Sequence, residues 1–347
     1  MSAHMTSAKP DGSPAEVIAA LLKDHAGLNL RLRAWDGSEA GPEKAPVVVI
    51  RSPRALQRIL WRPGELGLAR AYISGDLDID GDLTDGLRDI WGALRDTPKR
   101  GIALAPAARA VVQAASELKL LGPPPDPPGC ELRVRGRLHS RARDQAVIAG
   151  HYDLPAAFYR LILDPSMAYS CAYWSPAHNL ADAQRAKLEL ICGKLGLEPG
   201  QRLLDMGCGW GSLTLHAARA RVQVTGVTLS REQGARAPGG GPFIESYIAP
   251  DMDMRPVGDT VRLIENAGFE VIGVEAMREH YVRTIRAWLG NFERNLPAIE
   301  EILSEEQVRV WRLYLAGGAL AFEEGRMGVD QILAVRRTPT PRARGAR

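Results

Sequence analysis

Leu203-Leu204-Asp205-Met206-Gly207-Cys208-Gly209-Trp210-Gly211 sets three alternating glycines between a short apolar run and the helical pattern Ser212–Arg219, with Val222–Leu229 as the next apolar strand. Glycine permits positive φ and lets backbone amides approach a ligand closely. Strand, glycine turn, helix and strand in that order make a βαβ unit, which commits this half of the chain to an α/β sheet with Arg202–Met206 as a buried strand. A tight turn without a ligand is the bland alternative, and the agreement of acid, glycines and flanking elements speaks against it.

The spacing also narrows the ligand. Dinucleotide enzymes carry G-x-G-x-x-G for a pyrophosphate. Here the pattern is G-x-G-x-G with an acid two residues before the first glycine, which suits the amino-acid end of S-adenosylmethionine (SAM). Asp205 can accept from an ammonium or order the turn. Leu204, Asp205, Gly207, Gly209, Trp210 and Gly211 are therefore expected at the cofactor. Thr228 and Gln233, in Val224–Gln233 (VTGVTLSREQ), fall at the carboxyl end of the second strand, where they are placed to hydrogen-bond it.

Around this core the chain has 347 residues, 45% hydrophobic and 24% charged, enough for two globular domains. No apolar run approaches the ~20 residues of a membrane span, and Met1–Pro10 lacks the apolar segment of a signal peptide, so a cytoplasmic protein is expected. Cys130, Cys171, Cys192 and Cys208 form no C-x-x-C pair and no metal-ligand spacing with histidine, so reduced thiols and no metal are expected. Net charge is +3, with arginines clustered at Arg133–Arg143 and Arg336–Arg347, patches that suit phosphate head groups or nucleic acid or, on the blander reading, form a solvated linker and tail.

Upstream, Pro14–Leu22, Arg54–Trp61, Glu65–Ser74 and Leu83–Leu94 have helical patterns and Leu28–Ala34 and Pro46–Ile50 strand patterns. Pro123–Gly129 (PPPDPPG) then interrupts regular structure. The expected organisation is a small α+β domain over 1–122, a Pro/Arg-rich linker over 123–145, an α/β domain over 146–337 and a basic, disordered tail over 338–347. Downstream, His151–Leu163, Ala181–Leu195, Val257–Ala267 and the long stretch from Thr284 to about Phe322 read as helices. Phe269–Ala276 and Gln331–Arg336 read as strands.

Other constellations carry less. Asp76-x-Asp78-x-Asp80-Gly81 opens like a calcium loop, but its twelfth position is Leu87 where a bidentate glutamate is required. There is no G-x-S-x-G, H-E-x-x-H or P-loop to anchor a hydrolase, zinc-protease or nucleotide-triphosphatase reading. Ile102–Leu121 has apolar residues at helical spacing, which pack on their own domain or lie on a membrane surface.

The resemblance becomes specific at His151–Tyr159 (HYDLPAAFY) and Pro165–Trp174 (PSMAYSCAYW). With the GCGWG loop, VTLSREQ, Arg278–Thr284 (REHYVRT) and Trp311–Gly318 (WRLYLAGG), the chain resembles the cyclopropane fatty acid synthase family over most of residues 45–337. The implied fold is a Rossmann-type SAM-methyltransferase sheet preceded by a small α+β domain. The implied reaction is methylene transfer from SAM to the cis double bond of an unsaturated phospholipid, with bound bicarbonate as the base that removes the ring-closing proton. A related outcome is a methyl-branched chain. By resemblance, Tyr169 and Ser170 contact SAM, and Cys171 and Tyr281 are catalytic, at the bicarbonate site. Tyr169, Tyr173, Trp174 and Tyr281 offer faces for a transient cation. The resemblance further implies a protein peripheral to the inner face of the membrane, with no nucleic-acid partner.

One departure bears on all of this. After Gln233 the chain runs through Gly234–Pro242 (GARAPGGGP) into Phe243–Asp251, where the family continues with further strands and helices. At ~30 residues per strand–helix–strand crossover, the resemblance implies that roughly 70 residues are missing, and Gly234–Pro242 is by itself too short for a crossover of at least ~10–12 residues. The middle strands of the sheet are therefore absent, leaving four strand candidates and an exposed edge that can pair with another copy in a homo-oligomer. With them go the family's ribose and adenine contacts and other bicarbonate ligands. A catalytically inactive remnant, binding lipid or a full-length paralogue, is the competing expectation.

Overall fold

Ser13 and Glu16 cap the first helix, Pro14–Ala26, reciprocally: Ser13 Oγ accepts from the Glu16 amide at 3.4 Å and Glu16 Oε2 accepts from the Ser13 amide at 2.8 Å. Gly27, at φ 66°, ends it in the left-handed conformation that glycine adopts without penalty. This is a computed structural model describing residues 12–96, 104–132, 154–227, 241–250 and 254–337. The chain divides into two units.

The first unit takes the described part of Met1–Arg133 with Gly241–Tyr247 and Leu303–Gly317. Its sheet orders the strands Glu39–Ala40, Arg31–Arg33, Val47–Ile50 and Leu77–Asp80, the two central strands being parallel and the outer pairings antiparallel. Leu32, Val48 and Ile50 face Ile18, Ala55 and Ala71 of the helices to form the core. The acidic run on the last strand is neutralised by arginines: Arg58 meets Asp76 at 2.9 Å, Arg51 meets Asp78 at 2.8 Å and Arg33 meets Asp80 at 3.2 Å. Residues after Pro123 pack here too, since Arg58 donates to the Asp126 carbonyl and Arg70 pairs with Glu131. The helix that follows the Gly/Pro junction, Pro242–Tyr247, buries Phe243 and Tyr247, and the Tyr247 hydroxyl donates to Glu131 at 2.7 Å.

The second unit holds the glycine loop. Arg202–Met206 pairs in parallel with Gln223–Val227, and Phe269–Ala276 pairs antiparallel with Asp330–Arg336. The four strands expected in one sheet thus form two separate two-stranded ladders. Strands must lie within about 5 Å to share hydrogen bonds, and among the described residues no strand bridges the two ladders. The expectation of a buried first strand is corrected for the same reason. Leu204 is 57% and Met206 78% exposed, because nothing among the described residues covers them.

Two helical expectations also change. The stretch from Thr284 to Phe322 is three helices, Arg278–Arg294, Leu296–Glu300 and Glu305–Glu323. Pro297 sits in the first turn of the second, where its missing N–H costs nothing, and a Ser304–Gln307 capping pair starts the third. The helix expected over His151–Leu163 is Ala156–Ile162, with Pro155 as its N-cap and residues 151–153 outside the described residues.

Candidate functional site

Gly207, Gly209 and Gly211 have φ of 82°, 54° and 85°, values an L side chain adopts only with strain. The amides of Gly207 and Cys208 both donate to the Val227 carbonyl, at 2.7 and 3.2 Å, which ties the turn to the neighbouring strand. No atom lies within 4 Å of where a Cβ would stand on Gly207 or Gly209, so the outer side of the loop is open. Asp205 accepts from Thr214 Oγ1 at 2.8 Å, so this carboxylate orders the turn and keeps its second oxygen for another donor.

Trp210 carries the loop into a run of aromatic rings. Its ring lies 4.7 Å from Tyr159, which lies 5.7 Å from Tyr169. Tyr169 in turn lies 5.1 Å from Trp288, and Trp288 lies 5.9 Å from Tyr281 in an edge-to-face contact. Three residues anticipated from sequence, Trp210, Tyr169 and Tyr281, are therefore connected through two that were not, Tyr159 and Trp288. The available signal for Trp288 was its spacing of two helical turns from Tyr281.

Beside this run, Cys171 is buried, its thiol 3.4 Å from the Ala172 carbonyl and 3.7 Å from the Met277 carbonyl. Burial pushes that thiol up to about 12, against a smaller downward pull from Lys187 and Thr284, so it stays neutral at physiological pH. Helix Leu180–Lys194, begun by the Asn179 side chain accepting from the Asp182 amide, supports the segment from below. From it Gln184 donates to the carbonyls of Ala168 and Ser170, and Lys187 donates to Ser170 Oγ at 2.9 Å. Neither Gln184 nor Lys187 was read as functional from sequence, where each is one polar residue in a helical pattern.

A second polar knot fixes the far side. Thr284 Oγ1 accepts from the Ala172 amide and from Trp174 Nε1, and donates to the His280 carbonyl. His280 Nδ1 accepts from the Trp174 amide at 2.9 Å, and its ring stacks on Tyr173 with centroids 4.6 Å apart. Arg283 lies 4.5 Å above the Trp174 ring. Tyr173 and Trp174, read as faces for a cation, are thus engaged by His280 and Arg283. Leu204 projects from an exposed strand, and Thr228 and Gln233 lie outside the described residues. Among the described residues no cluster of His, Cys, Asp and Glu could hold a metal ion, and no helix is long and apolar enough to cross a membrane.

For SAM, the residues present fit the amino-acid end: an open glycine turn and a carboxylate with a spare oxygen. A strand–glycine turn–helix–strand unit with this G-x-G-x-G spacing is of the kind that binds the cofactor in SAM-dependent methyltransferases. The family model for mycolic acid cyclopropane synthetase matches residues 139–240 and 236–332, two segments that meet at the Gly/Pro junction. The chain belongs to this family.

Among its relatives, a probable fatty acid methyltransferase of Mycobacterium tuberculosis is 31% identical, covering 89% of this chain and 92% of the relative. That alignment spans 394 positions against the 347 residues of this chain, so the relative has residues with no counterpart here. The cyclopropane-fatty-acyl-phospholipid synthase of Escherichia coli K12 is 50% identical over 107 residues, 29% of this chain and 28% of its own. The solved structure of a mycolic acid cyclopropane synthase complexed with SAH and CTAB superposes with a TM-score of 0.50 at 26% identity, covering 55% of this chain and 97% of that one.

Proposed function

We propose that this chain transfers a one-carbon unit from SAM to the cis double bond of an unsaturated phospholipid acyl chain, closing a cyclopropane ring. The observation that carries this reading is the aromatic run from Trp210 through Tyr159, Tyr169 and Trp288 to Tyr281. SAM, when bound, supplies an electrophilic sulfonium methyl. Tyr169, Ser170, Leu204, Asp205, Gly207, Gly209, Trp210 and Gly211, with Thr228 and Gln233, are the residues assigned to hold it. Alkylation of an alkene leaves positive charge on the acyl chain, and each suitably placed aromatic face stabilises such charge by about 0.5–2 kcal/mol. Holding a weak nucleophile against the methyl in a dry setting contributes the rest.

Loss of a proton closes the ring. Cys171 and Tyr281 are assigned to hold bicarbonate as the accepting base, the thiol acting as a neutral hydrogen-bond donor because burial keeps its proton in place. The phospholipid would be met at the inner face of the membrane by a peripheral protein, with homo-oligomers forming through ladder edges that are unpaired among the described residues. Nucleic acid has no part in this reading.

One observation favours a second reading, a non-catalytic remnant that binds lipid or a paralogue. The sheet is split, and the strand entering the glycine loop is exposed at Leu204 and Met206. The test is to incubate the purified chain with methyl-labelled SAM and vesicles of monounsaturated phospholipid, then hydrolyse the lipid and analyse its acyl chains by mass spectrometry. A labelled chain heavier by one methylene supports the enzyme, and its ring or branched form identifies the product. SAM binding with no labelled chain supports the remnant.

A further inference from the structure

Lys187 is a buried cation for which the reading above has no use. It is 6% exposed, and its ammonium donates to Ser170 Oγ at 2.9 Å. An ammonium has no acceptor capacity, so the direction of that bond is fixed. The Ser170 hydroxyl proton must therefore point away from Lys187, available to a further acceptor. One turn earlier, Gln184 pins the Ala168 and Ser170 carbonyls, so the hydroxyl is held on a fixed backbone. Gln184 Oε1 is buried with no hydrogen-bond partner, a second polar atom left unsatisfied beneath the same segment.

The titratable groups facing Lys187 are Asp164, Cys171 and Asp205. Asp164 is engaged by the amides of Ser166 and Ala168, at 2.9 and 3.2 Å, and Asp205 by Thr214. Cys171 is neutral. Burial pulls the lysine down to about 8, and the carboxylates offset only part of that. Among the described residues no carboxylate forms an ion pair with this cation, which leaves it able to take one brought by a ligand.

We propose that Lys187 is a positioning residue for a carboxylate-type anion, turning the Ser170 O–H toward the carboxylate of the cofactor's amino-acid end and supplying the positive charge that retains it. This rests on the cofactor reading above, in which Asp205 faces the ammonium of the same ligand. Bicarbonate shares the chemistry and could occupy the same donor.

Calorimetric titration of the full chain separates these. S-adenosylhomocysteine carries the carboxylate, and 5′-methylthioadenosine lacks the whole amino-acid end. In bicarbonate-free buffer, Lys187→Met should weaken S-adenosylhomocysteine about tenfold or more, the value of one charge-assisted contact, while methylthioadenosine changes by less than about twofold. Lys187→Arg, keeping the charge, should recover part of the loss. In the unaltered chain the affinity for S-adenosylhomocysteine should fall between about pH 7 and pH 9 as the lysine loses its proton, more steeply than in Lys187→Met, where only the ligand ammonium titrates.

Equal losses for both ligands, or no change for either, would overturn the proposal, as would matching pH profiles. A loss that appears only with added bicarbonate assigns the anion to bicarbonate and overturns the cofactor-carboxylate form. No binding of S-adenosylhomocysteine by the unaltered chain defeats the cofactor reading itself. The pH profile needs no variant and stands if Lys187→Met fails to fold.

Discussion

The Cys171 thiol and the Tyr281 amide converge on one acceptor, the Met277 carbonyl, at 3.7 and 3.0 Å. Residues 110 apart in sequence are thereby joined at the start of helix Arg278–Arg294. The neutral, buried state of the thiol gives the first prediction. Iodoacetamide at about pH 8 should leave Cys171 unmodified in the native chain and label it after unfolding, because the thiolate is the nucleophile. Peptide mass spectrometry reads this directly, and labelling of native Cys171 would contradict its burial. Cys171→Ser, which keeps a donor, should retain more transfer activity than Cys171→Ala.

Thr284 should prove a structural keystone. Replacing it by valine leaves the Ala172 amide and Trp174 Nε1 without the oxygen they share, and two buried donors left unsatisfied cost about 2–5 kcal/mol. Urea unfolding should show that loss for Thr284→Val and less than about 1 kcal/mol for Thr284→Ser, which keeps the hydroxyl.

His280 should make the second unit acid-sensitive. Burial lowers its proton affinity below the ordinary value of 6.5, and Nδ1 accepts from the Trp174 amide only while unprotonated. With the folded-state value depressed, its contribution is present above 6.5 and lost as pH falls through the lower folded value. Melting temperature should therefore drop on the acid side of 6.5 in the unaltered chain, and the drop should shrink in His280→Asn, which keeps an acceptor without the titration.

Met206 tests the split sheet. At 78% exposure it buries little, so Met206→Ser should change unfolding free energy by no more than about 0.5 kcal/mol. Methionine at a covered position in a complete sheet would cost about 2–5 kcal/mol on such truncation. A loss of that size would mean that another part of the chain, or another copy, covers the strand.

The glycine turn was legible because its signals are local. The positive φ of Gly207, Gly209 and Gly211 follows from a turn that only glycine enters freely. The family motifs are likewise short runs whose order survives in the chain. Even the lost middle of the sheet could be read from the length and composition of Gly234–Pro242.

What the tertiary structure decided is what depends on partners distant in sequence. Strand pairing is such a property: Arg202–Met206 reads as a buried strand, yet burial requires neighbours on both sides and the described residues supply one. Tyr159 and Trp288 became links between the loop and Tyr281 only when helices far apart in sequence were packed together. Lys187 is an ordinary helical lysine until the Ala168–Cys171 segment closes over it, and desolvation then turns a solvated charge into one that favours an anion.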